Sequence, residues 1–397
     1  MDERRKQAIK ERRKQAMDDP ITKHPRPDCS QADFISRAQQ YRQDFASAAP
    51  ALPISDASVT QPDQAFIPSA PALPLLAPAY PEEEFIRRAK QYQKDLLAPY
   101  GGWHYMPMGN ARALMVPVTR GCSYNACVFC ALNKYPFSAF PMAQIEENIK
   151  KLAFIHCQDR RPPRQAVLLQ GNPWALSTHK LLQIAEMLKT WIPSIEEISG
   201  FARADDVLAK GPADLCRLRQ AGYAHLTLGV ESGSDAVLSL QNKGVSRQDQ
   251  IQAMQMLDQA GIHYDCYVML GLGGKELSAD HVAATVSLIN EVHVQMLIVV
   301  TTVLFPDAKL VDLVRAGTFT RLSPKESMEE MFQLLALLQG PLIFNASHKT
   351  NLFALKGKVP EQKDDLMAKL QTLLDQHQVR GQGLRENQRW RRFSTEQ

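Results

Sequence analysis

Residues 113–134 read "ALMVPVTRGCSYNACVFCALNK", and this stretch joins an apolar run to a loop rich in cysteine. The loop holds three of the seven cysteines of the chain within nine residues, at Cys122, Cys127 and Cys130. Gly121 and Asn125 are typical of a loop rather than of packed core, which argues against three core cysteines clustered by chance. The stretch therefore predicts a strand followed by a loop in which three thiols act together.

The composition indicates a globular protein, because 45% of its 397 residues are hydrophobic. A formal net charge of +4 is too small to indicate nucleic-acid binding by itself. The basic amino terminus is not followed by an apolar h-region, and no run is long enough to span a bilayer, so we expect a cytoplasmic protein without a membrane partner. Thiols stay reduced in the cytoplasm, and a tight cysteine cluster there indicates a metal or redox site rather than disulfides.

Six short apolar runs are typical of strands buried on both faces of a sheet. They are "ALMVPVT" (113–119), "AVLLQ" (166–170), "IEEIS" (195–199), "AHLTLGV" (224–230), "HYDCYVML" (263–270) and "VQMLIVVTTV" (294–303). Helical periodicity fills the gaps, so the alternation predicts an α/β fold with a parallel sheet, either open and doubly wound or closed towards a barrel. In both architectures the loops after the strands carry the site, and the cysteines lie on such a loop.

Composition divides the chain into four regions. Residues 1–100 repeat basic and Ala/Pro-rich segments, which predict a low-complexity, partly disordered extension with short helices. Residues 110–305 carry the alternating strands and helices, and 306–378 have the pattern of flanking C-terminal helices. The basic tail, 379–397, is most simply a solvated segment, but its single tryptophan among arginines leaves nucleic acid open as a partner.

Three thiolates on one loop suit either zinc or an iron–sulfur cluster, because both bind soft sulfur ligands. A structural zinc site needs four protein ligands, whereas this chain has no second CxxC or HxxxH motif and the nearest further thiol, Cys157, stands alone. A 4Fe–4S cluster held by three cysteines keeps one iron open to an external ligand. The loop thus favours an iron–sulfur cluster, without removing zinc as the alternative.

The sequence "GCSYNACVFC" resembles the cluster loop of radical SAM enzymes, with four residues instead of the common three between the first two cysteines. The resemblance implies a 4Fe–4S cluster on Cys122, Cys127 and Cys130, with S-adenosylmethionine (SAM) on the fourth iron. It covers residues 110–305 and implies a partial (β/α)6 TIM-type barrel. It further implies reductive cleavage of SAM to a 5′-deoxyadenosyl radical, hydrogen abstraction from an unknown substrate, and a reductant partner such as flavodoxin or ferredoxin.

The same resemblance implies contacts to SAM from the loops that follow successive strands. Phe129 matches the aromatic residue that rests near the adenine, and Gly171 and Asn172 match the turn that pairs with the methionine amino group, with Asn172 in place of an acid. Lys243 matches the basic residue that binds the methionine carboxylate. The other implied contacts are Ser199, Arg203, Glu231, Gly271 and Leu272.

The rest of the sequence narrows the type of enzyme and leaves one alternative. Four further cysteines are isolated: Cys29, Cys157, Cys216 and Cys266. They form no second cluster motif, which argues against sulfur insertion and methylthiolation, and Cys266 is predicted to be a buried structural residue of the fifth strand.

His348 and Asn351 resemble the tail of an uncharacterised radical SAM group and are predicted to fix a loop. The alternative is a cluster- or zinc-bearing binding or regulatory protein on the same scaffold, without turnover.

Overall fold

The structure is a computed structural model that describes residues 113–132, 135–156 and 162–379. The predictions for the extension at 1–100, for the tail beyond residue 379, and for Cys29 and Cys157 lie outside these residues.

The six apolar runs of the sequence are strands, as predicted. They are β1 (Leu114–Pro117), β4 (Gln165–Leu169), β5 (Glu197–Ala202), β6 (Tyr223–Glu231), β7 (His263–Leu270) and β8 (Met296–Thr301). The remaining strands are shorter: β2 (Thr119–Arg120), β3 (Ser138–Ala139), β9 (Leu342–Asn345) and β10 (Lys356–Val359). Buried residues dominate the six main strands, in agreement with a sheet that is covered on both faces.

The strand order distinguishes the two architectures that periodicity left open. Within the described residues the main sheet runs β1-β4-β5-β6-β7-β8-β9-β10, and all neighbours are parallel except the last pair. A doubly wound sheet reverses its strand order at a switch point, whereas this order always advances in one direction. One-directional winding is the arrangement of (β/α) barrels, and the α/β fold that the sequence predicted is confirmed.

Helices alternate with the strands. They are α1 (Met142–His156), α2 (Thr178–Trp191), α3 (Ala204–Ala221), α4 (Asp235–Leu240), α5 (Arg247–Ala260), α6 (Ser278–Glu291), α7 (Leu310–Arg315), α8 (Pro324–Leu337) and α9 (Lys363–Val379). Helix α5 begins with a capping box between Ser246 and Asp249 and ends at Gly261, whose φ of 71° few other residues adopt. None of the helices in the described ranges combines the length and apolar character needed to cross a membrane.

The region 306–378 differs from the helical prediction, because it also supplies two strands. Strand β9 adds to β8 in parallel and β10 adds to β9 antiparallel, so the sheet continues beyond the predicted sixth strand. Each of these strands has only four residues, which is too short for a periodic pattern to be recognised. The loop between them, 346–355, reaches the site described next.

Candidate cofactor site

The cysteine loop follows β1 and is closed at its base by backbone pairing. Strands β2 and β3 pair as a two-stranded antiparallel ladder, which brings residues 119–120 and 138–139 together on either side of the cysteines. Gly121 has a φ of 71°, and a Cβ there would lie 2.2 Å from the carbonyl oxygen of Tyr135. Only glycine allows this close approach, so the "RGC" start of the loop has a local reason.

The four residues between Cys122 and Cys127 are each used to hold the loop. The Ser123 hydroxyl accepts a hydrogen bond from the Asn172 side chain at 2.7 Å, and the Tyr124 hydroxyl donates to Asn242 Oδ1 at 3.1 Å. Asn125 adopts a positive φ of 47°, which turns the chain. The Ala126 carbonyl accepts from Asn242 Nδ2 at 3.1 Å. The longer spacing of this cysteine motif is therefore a structured feature of the loop.

All three cysteines line one cavity of about 220 Å³, which we call the cysteine cavity. Nine of the twelve residues predicted for the site lie on its wall: Cys122, Cys127, Phe129, Cys130, Gly171, Asn172, Arg203, Glu231 and Lys243. They come from five separate segments of the chain, and the parallel sheet gathers them because the carboxyl ends of its strands meet at one edge.

A buried ion pair forms one wall of the cysteine cavity. Lys243 Nζ donates to Glu231 Oε1 at 3.3 Å, and their side chains are only 6% and 13% exposed. Glu231 ends β6 at a bulge, where the register with β7 shifts and its φ is 65°. A bulge redirects a side chain, and a non-glycine residue at positive φ is a strained feature that persists where its surroundings hold it. In the sequence this wall corresponds to "GVES" (229–232) and to the lysine and glycine at 243–244.

Space for this ion pair depends on Gly229. A Cβ at residue 229 would lie 2.6 Å from Glu231 Oε1 and 3.1 Å from Lys243 Nζ. Both distances are shorter than ordinary van der Waals contact, so any larger residue displaces one of the two charged groups.

Arg203 connects the ion pair to the cysteine loop. Its guanidinium donates to the Lys243 carbonyl at 2.9 Å and to Asp205 Oδ1 at 2.9 Å. The same guanidinium lies 4.1 Å from the centre of the Tyr124 ring, within the range of a cation–π contact. Arg203 thus acts on the site partly as a positioning residue, because it fixes both the backbone that bears Lys243 and the loop that bears the cysteines.

Asn172, on the turn after β4, is a neutral amide at the position where the family motif has an acid. Its amide nitrogen donates to Ser123 and to the carboxylate of Asp206, a residue of α3 whose pKa is raised by burial. Its carbonyl oxygen, Oδ1, is buried and has no hydrogen-bond partner among the described residues. Asp206 therefore supplies the acid nearby and orients the amide, and Asn172 keeps an acceptor for a ligand with a donor group.

Burial dominates the protonation of the thiols. It raises the pKa of Cys130 to about 11, and it also raises the pKa of Cys127, where Lys243 and Arg203 act in the opposite direction. Both thiols are thus protonated at neutral pH unless a metal binds, and metal binding would release their protons. Among the described residues, no group of three or more His, Cys, Asp or Glu is gathered closely enough to hold a single metal ion. The three thiols nevertheless fit an iron–sulfur cluster as a set of soft ligands around one cavity.

Three predicted site residues lie off the cysteine cavity. Ser199 is buried in β5 and donates to the Ala166 carbonyl at 3.3 Å. Leu272 is fully buried in the apolar cluster that also contains Phe129. Gly271 lies on a second cavity beside the first, and its N–H donates to Glu330 at 2.6 Å. Their assignment as SAM contacts stays a prediction.

The cysteine cavity also has lining residues that sequence reasoning did not single out. They include Gln170, Phe201, Tyr267, Met269, Thr301 and Thr350. Phe201, Tyr267 and Met269 alternate with core-facing residues on their strands, but two-sided burial hides which face points to a cavity. His348, predicted to fix a loop, lines the cavity, whereas Asn351 fixes the loop by donating to the carbonyls of Val299 and Ala346 at 2.8 Å.

Comparisons with known proteins address the family of this chain. The sequence profile of the Radical SAM superfamily matches residues 116–289, which include the cysteine loop and the strands β4 to β7. Residues 116–289 form a radical SAM domain. The cofactors of enzymes in this superfamily are a 4Fe–4S cluster and SAM.

Individual similar proteins are distant from this chain in sequence. The heme chaperone HemW of Bacillus subtilis (strain 168) is 22% identical over 219 residues, which are 53% of this chain and 55% of HemW. Coproporphyrinogen III oxidase (HemN) from Escherichia coli is 16% identical, with 65% of this chain and 55% of HemN covered and a TM-score of 0.47. Elp3 of Methanocaldococcus infernus is 12% identical, with 68% and 64% covered and a TM-score of 0.42. The chain spans about half the length of the curated relative that it matches.

Proposed function

We propose that this protein is a radical SAM enzyme that holds a 4Fe–4S cluster on Cys122, Cys127 and Cys130 and binds SAM in the cysteine cavity. The observation that carries the proposal is the shared wall: three thiols and the Glu231–Lys243 ion pair face one enclosed space. Soft ligands suit iron, and a buried ammonium suits a carboxylate, so both halves of the cofactor pair find partners of the right chemistry.

The residues of the wall divide the binding of SAM between them. Lys243 binds the methionine carboxylate through its ammonium group, at the cost of sharing that group with Glu231. The Gly171–Asn172 turn accepts hydrogen bonds from the methionine amino group, for which Asn172 Oδ1 is an unused acceptor. Phe129, which is 8% exposed and packs with Leu272, provides an apolar surface for the adenine.

When bound and reduced, the cluster and SAM supply a 5′-deoxyadenosyl radical that abstracts a hydrogen atom from the substrate. The chain contributes shelter, because Phe201, Tyr267 and Met269 give the cavity apolar walls that exclude water from a reactive species. The electron comes from a small redox protein such as flavodoxin or ferredoxin, in the reducing environment of the cytoplasm.

The test is anaerobic reconstitution of the full chain with iron and sulfide, followed by reduction with dithionite in the presence of SAM. We expect about four irons per chain and release of 5′-deoxyadenosine, detected by liquid chromatography. Fully loaded protein that cleaves no SAM under these conditions would overturn the assignment as an enzyme.

A second candidate is a cluster-bearing binding protein without turnover, and one finding favours it. The curated relative that matches 53% of the chain is named a heme chaperone rather than an enzyme. This candidate predicts iron and SAM binding without 5′-deoxyadenosine, so the same experiment separates the two.

A further inference from the structure

A second, larger cavity adjoins the cysteine cavity. Its volume is about 550 Å³, within the range of sites that enclose small organic ligands. We call it the outer chamber. The two cavities share four lining residues: Thr301, Val303, Phe305 and Thr350. A molecule in the outer chamber therefore lies directly beside the site proposed for SAM and the cluster.

Thirteen of the twenty-one residues that line the outer chamber are apolar, although polar groups supply nearly half of its surface, and the wall comes from the end of β7 and from later segments of the chain. Its apolar members are Leu270, Val303, Leu304, Phe305, Pro306, Leu310, Phe319, Leu322, Pro324, Met328, Met331, Leu352 and Phe353. Methionine side chains adapt to ligand shape, and aromatic rings offer large contact areas. Such a wall selects a ligand with an apolar body.

Charge on this wall has one sign. Lys275 and Arg321 line the chamber, and no Asp or Glu lies among its lining residues. Lys275 is paired with Glu326 at 2.6 Å, which neutralises much of its charge. Arg321 is exposed and forms no ion pair with another described residue. A guanidinium with no ion-pair partner among the described residues, at the wall of this chamber, is suited to a carboxylate, which it can bind through two parallel hydrogen bonds.

The uncharged polar side chains of the wall are hydroxyls of serine and threonine. The Thr302 hydroxyl is buried without a hydrogen-bond partner among the described residues, and four further hydroxyl side chains line the chamber: Thr301, Ser323, Ser327 and Thr350. These hydroxyls suit a ligand that carries polar substituents along an apolar body, in addition to an anionic end.

We propose that the outer chamber is the substrate site, and that its substrate is an amphiphilic carboxylate whose anionic end binds Arg321 while its apolar body lies against the methionine and phenylalanine wall. The inference rests on the proposed function, which places the radical next to this chamber. Gly271, which the family resemblance implies as a SAM contact, also lies on the chamber wall. The nucleoside of SAM is therefore the competing occupant of the chamber.

Isothermal titration calorimetry of the full chain with decanoate and with decanol tests the chamber directly. The two probes share an apolar chain and differ in the charge of the end group. We expect decanoate to bind about fivefold more tightly than decanol or better. In Arg321→Gln that advantage falls to less than about twofold, whereas Arg315→Gln, an exposed arginine off the chamber wall, keeps it.

Equal binding of the two probes, or an unchanged preference in Arg321→Gln, would overturn the proposal. A third arm adds saturating SAM to reconstituted protein, and exclusion of decanoate by SAM would assign the chamber to the cofactor instead. Because calorimetry does not depend on SAM cleavage, decanoate binding without 5′-deoxyadenosine contradicts the enzyme function alone. SAM cleavage without selective decanoate binding contradicts only the substrate class.

Discussion

The cysteine cavity and the outer chamber touch through four shared residues, yet they are built in opposite ways. Nine residues of the cysteine cavity fall in short motifs at or after the ends of β1, β4, β5 and β6, and they include three thiols and the Glu231–Lys243 pair. The outer chamber takes most of its wall from scattered apolar residues between 301 and 353, with Arg321 as its one unpaired charged lining residue in the described chain. The residues of the proposed cofactor site thus lie in short local motifs, whereas those of the proposed substrate site are dispersed along the chain.

The largest expected effect is loss of the cluster from the cysteine cavity while the outer chamber stays unchanged. Cys127→Ala removes one of three thiolates from the cluster site, so we expect reconstituted protein to lose its iron and brown colour. Folding should persist, because the loop is held by Ser123, Tyr124 and Asn242 without any metal. Iron analysis, visible absorption and circular dichroism measure the outcome.

Cys216→Ala is the matched control for this variant. Cys216 is exposed on α3, away from the cavity wall, and its loss should leave the iron content unchanged. If Cys127→Ala retained the iron content of the natural chain, the cluster assignment would be wrong. Decanoate binding should survive in both variants, since neither residue lines the outer chamber.

A smaller effect is expected when only the ion pair of the cysteine cavity is removed. Lys243→Ala deletes the proposed partner of the methionine carboxylate and should weaken SAM binding by roughly 10- to 100-fold, as for other charged hydrogen bonds. Equilibrium binding of SAM to reconstituted protein measures it. Lys189→Ala, an exposed lysine of α2, is the control.

Gly229→Ala tests the same pair without removing either charge. The new Cβ displaces Glu231 or Lys243, so SAM affinity should fall while iron content stays at the level of the natural chain. Intact SAM affinity in both Lys243→Ala and Gly229→Ala would contradict the placement of the methionine carboxylate.

A change in stability rather than in binding is expected at the helix that borders the outer chamber. Glu330 of α8 is buried, accepts hydrogen bonds from Gly271 and Ser278, and has a pKa raised by burial to about 7. The folded protein therefore holds this proton between about pH 4.5 and 7, where the unfolded chain has lost it, so stability from this group falls as the pH rises through that window. We expect a loss of about 3 kcal/mol in the free energy of unfolding between pH 4.5 and 8.

Glu330→Gln should lack this slope while keeping hydrogen bonds to Gly271 and Ser278. Urea unfolding of both proteins at pH 5, 6, 7 and 8 measures the difference between them. His281, 3.9 Å from Glu330, is not a charged partner because burial lowers its pKa to about 4. The stability that His281 contributes rises with pH, in the opposite direction to that of Glu330, and it is common to both proteins. Parallel pH profiles for the two proteins would show that Glu330 does not carry the raised pKa.

The sequence predicted the parts of the molecule that are encoded locally. Six strands and the buried position of Cys266 follow from short patterns, and all are present. Nine of the twelve motif residues line the cysteine cavity, because strand ends of a parallel sheet meet at one edge, and their roles stay predictions.

What the sequence could not predict depends on contacts between distant segments. His348 faces the cysteine cavity because Asn351 binds the backbone of β8, some 50 residues earlier in the chain. Strands β9 and β10 are too short to show periodicity. Gly271 and Ser199 are occupied by other partners, which a match of motifs does not reveal.

The cysteine loop has a consequence for the order in which the protein is assembled. Its base is paired through β2 and β3, and its body is bound to Asn172, Asn242 and Arg203 by groups that need no iron. If the proposed cluster binds here, these contacts allow the chain to fold first and to receive iron and sulfide afterwards. Oxidative loss of the inorganic core would then be repairable in place, without the protein having to be unfolded or replaced.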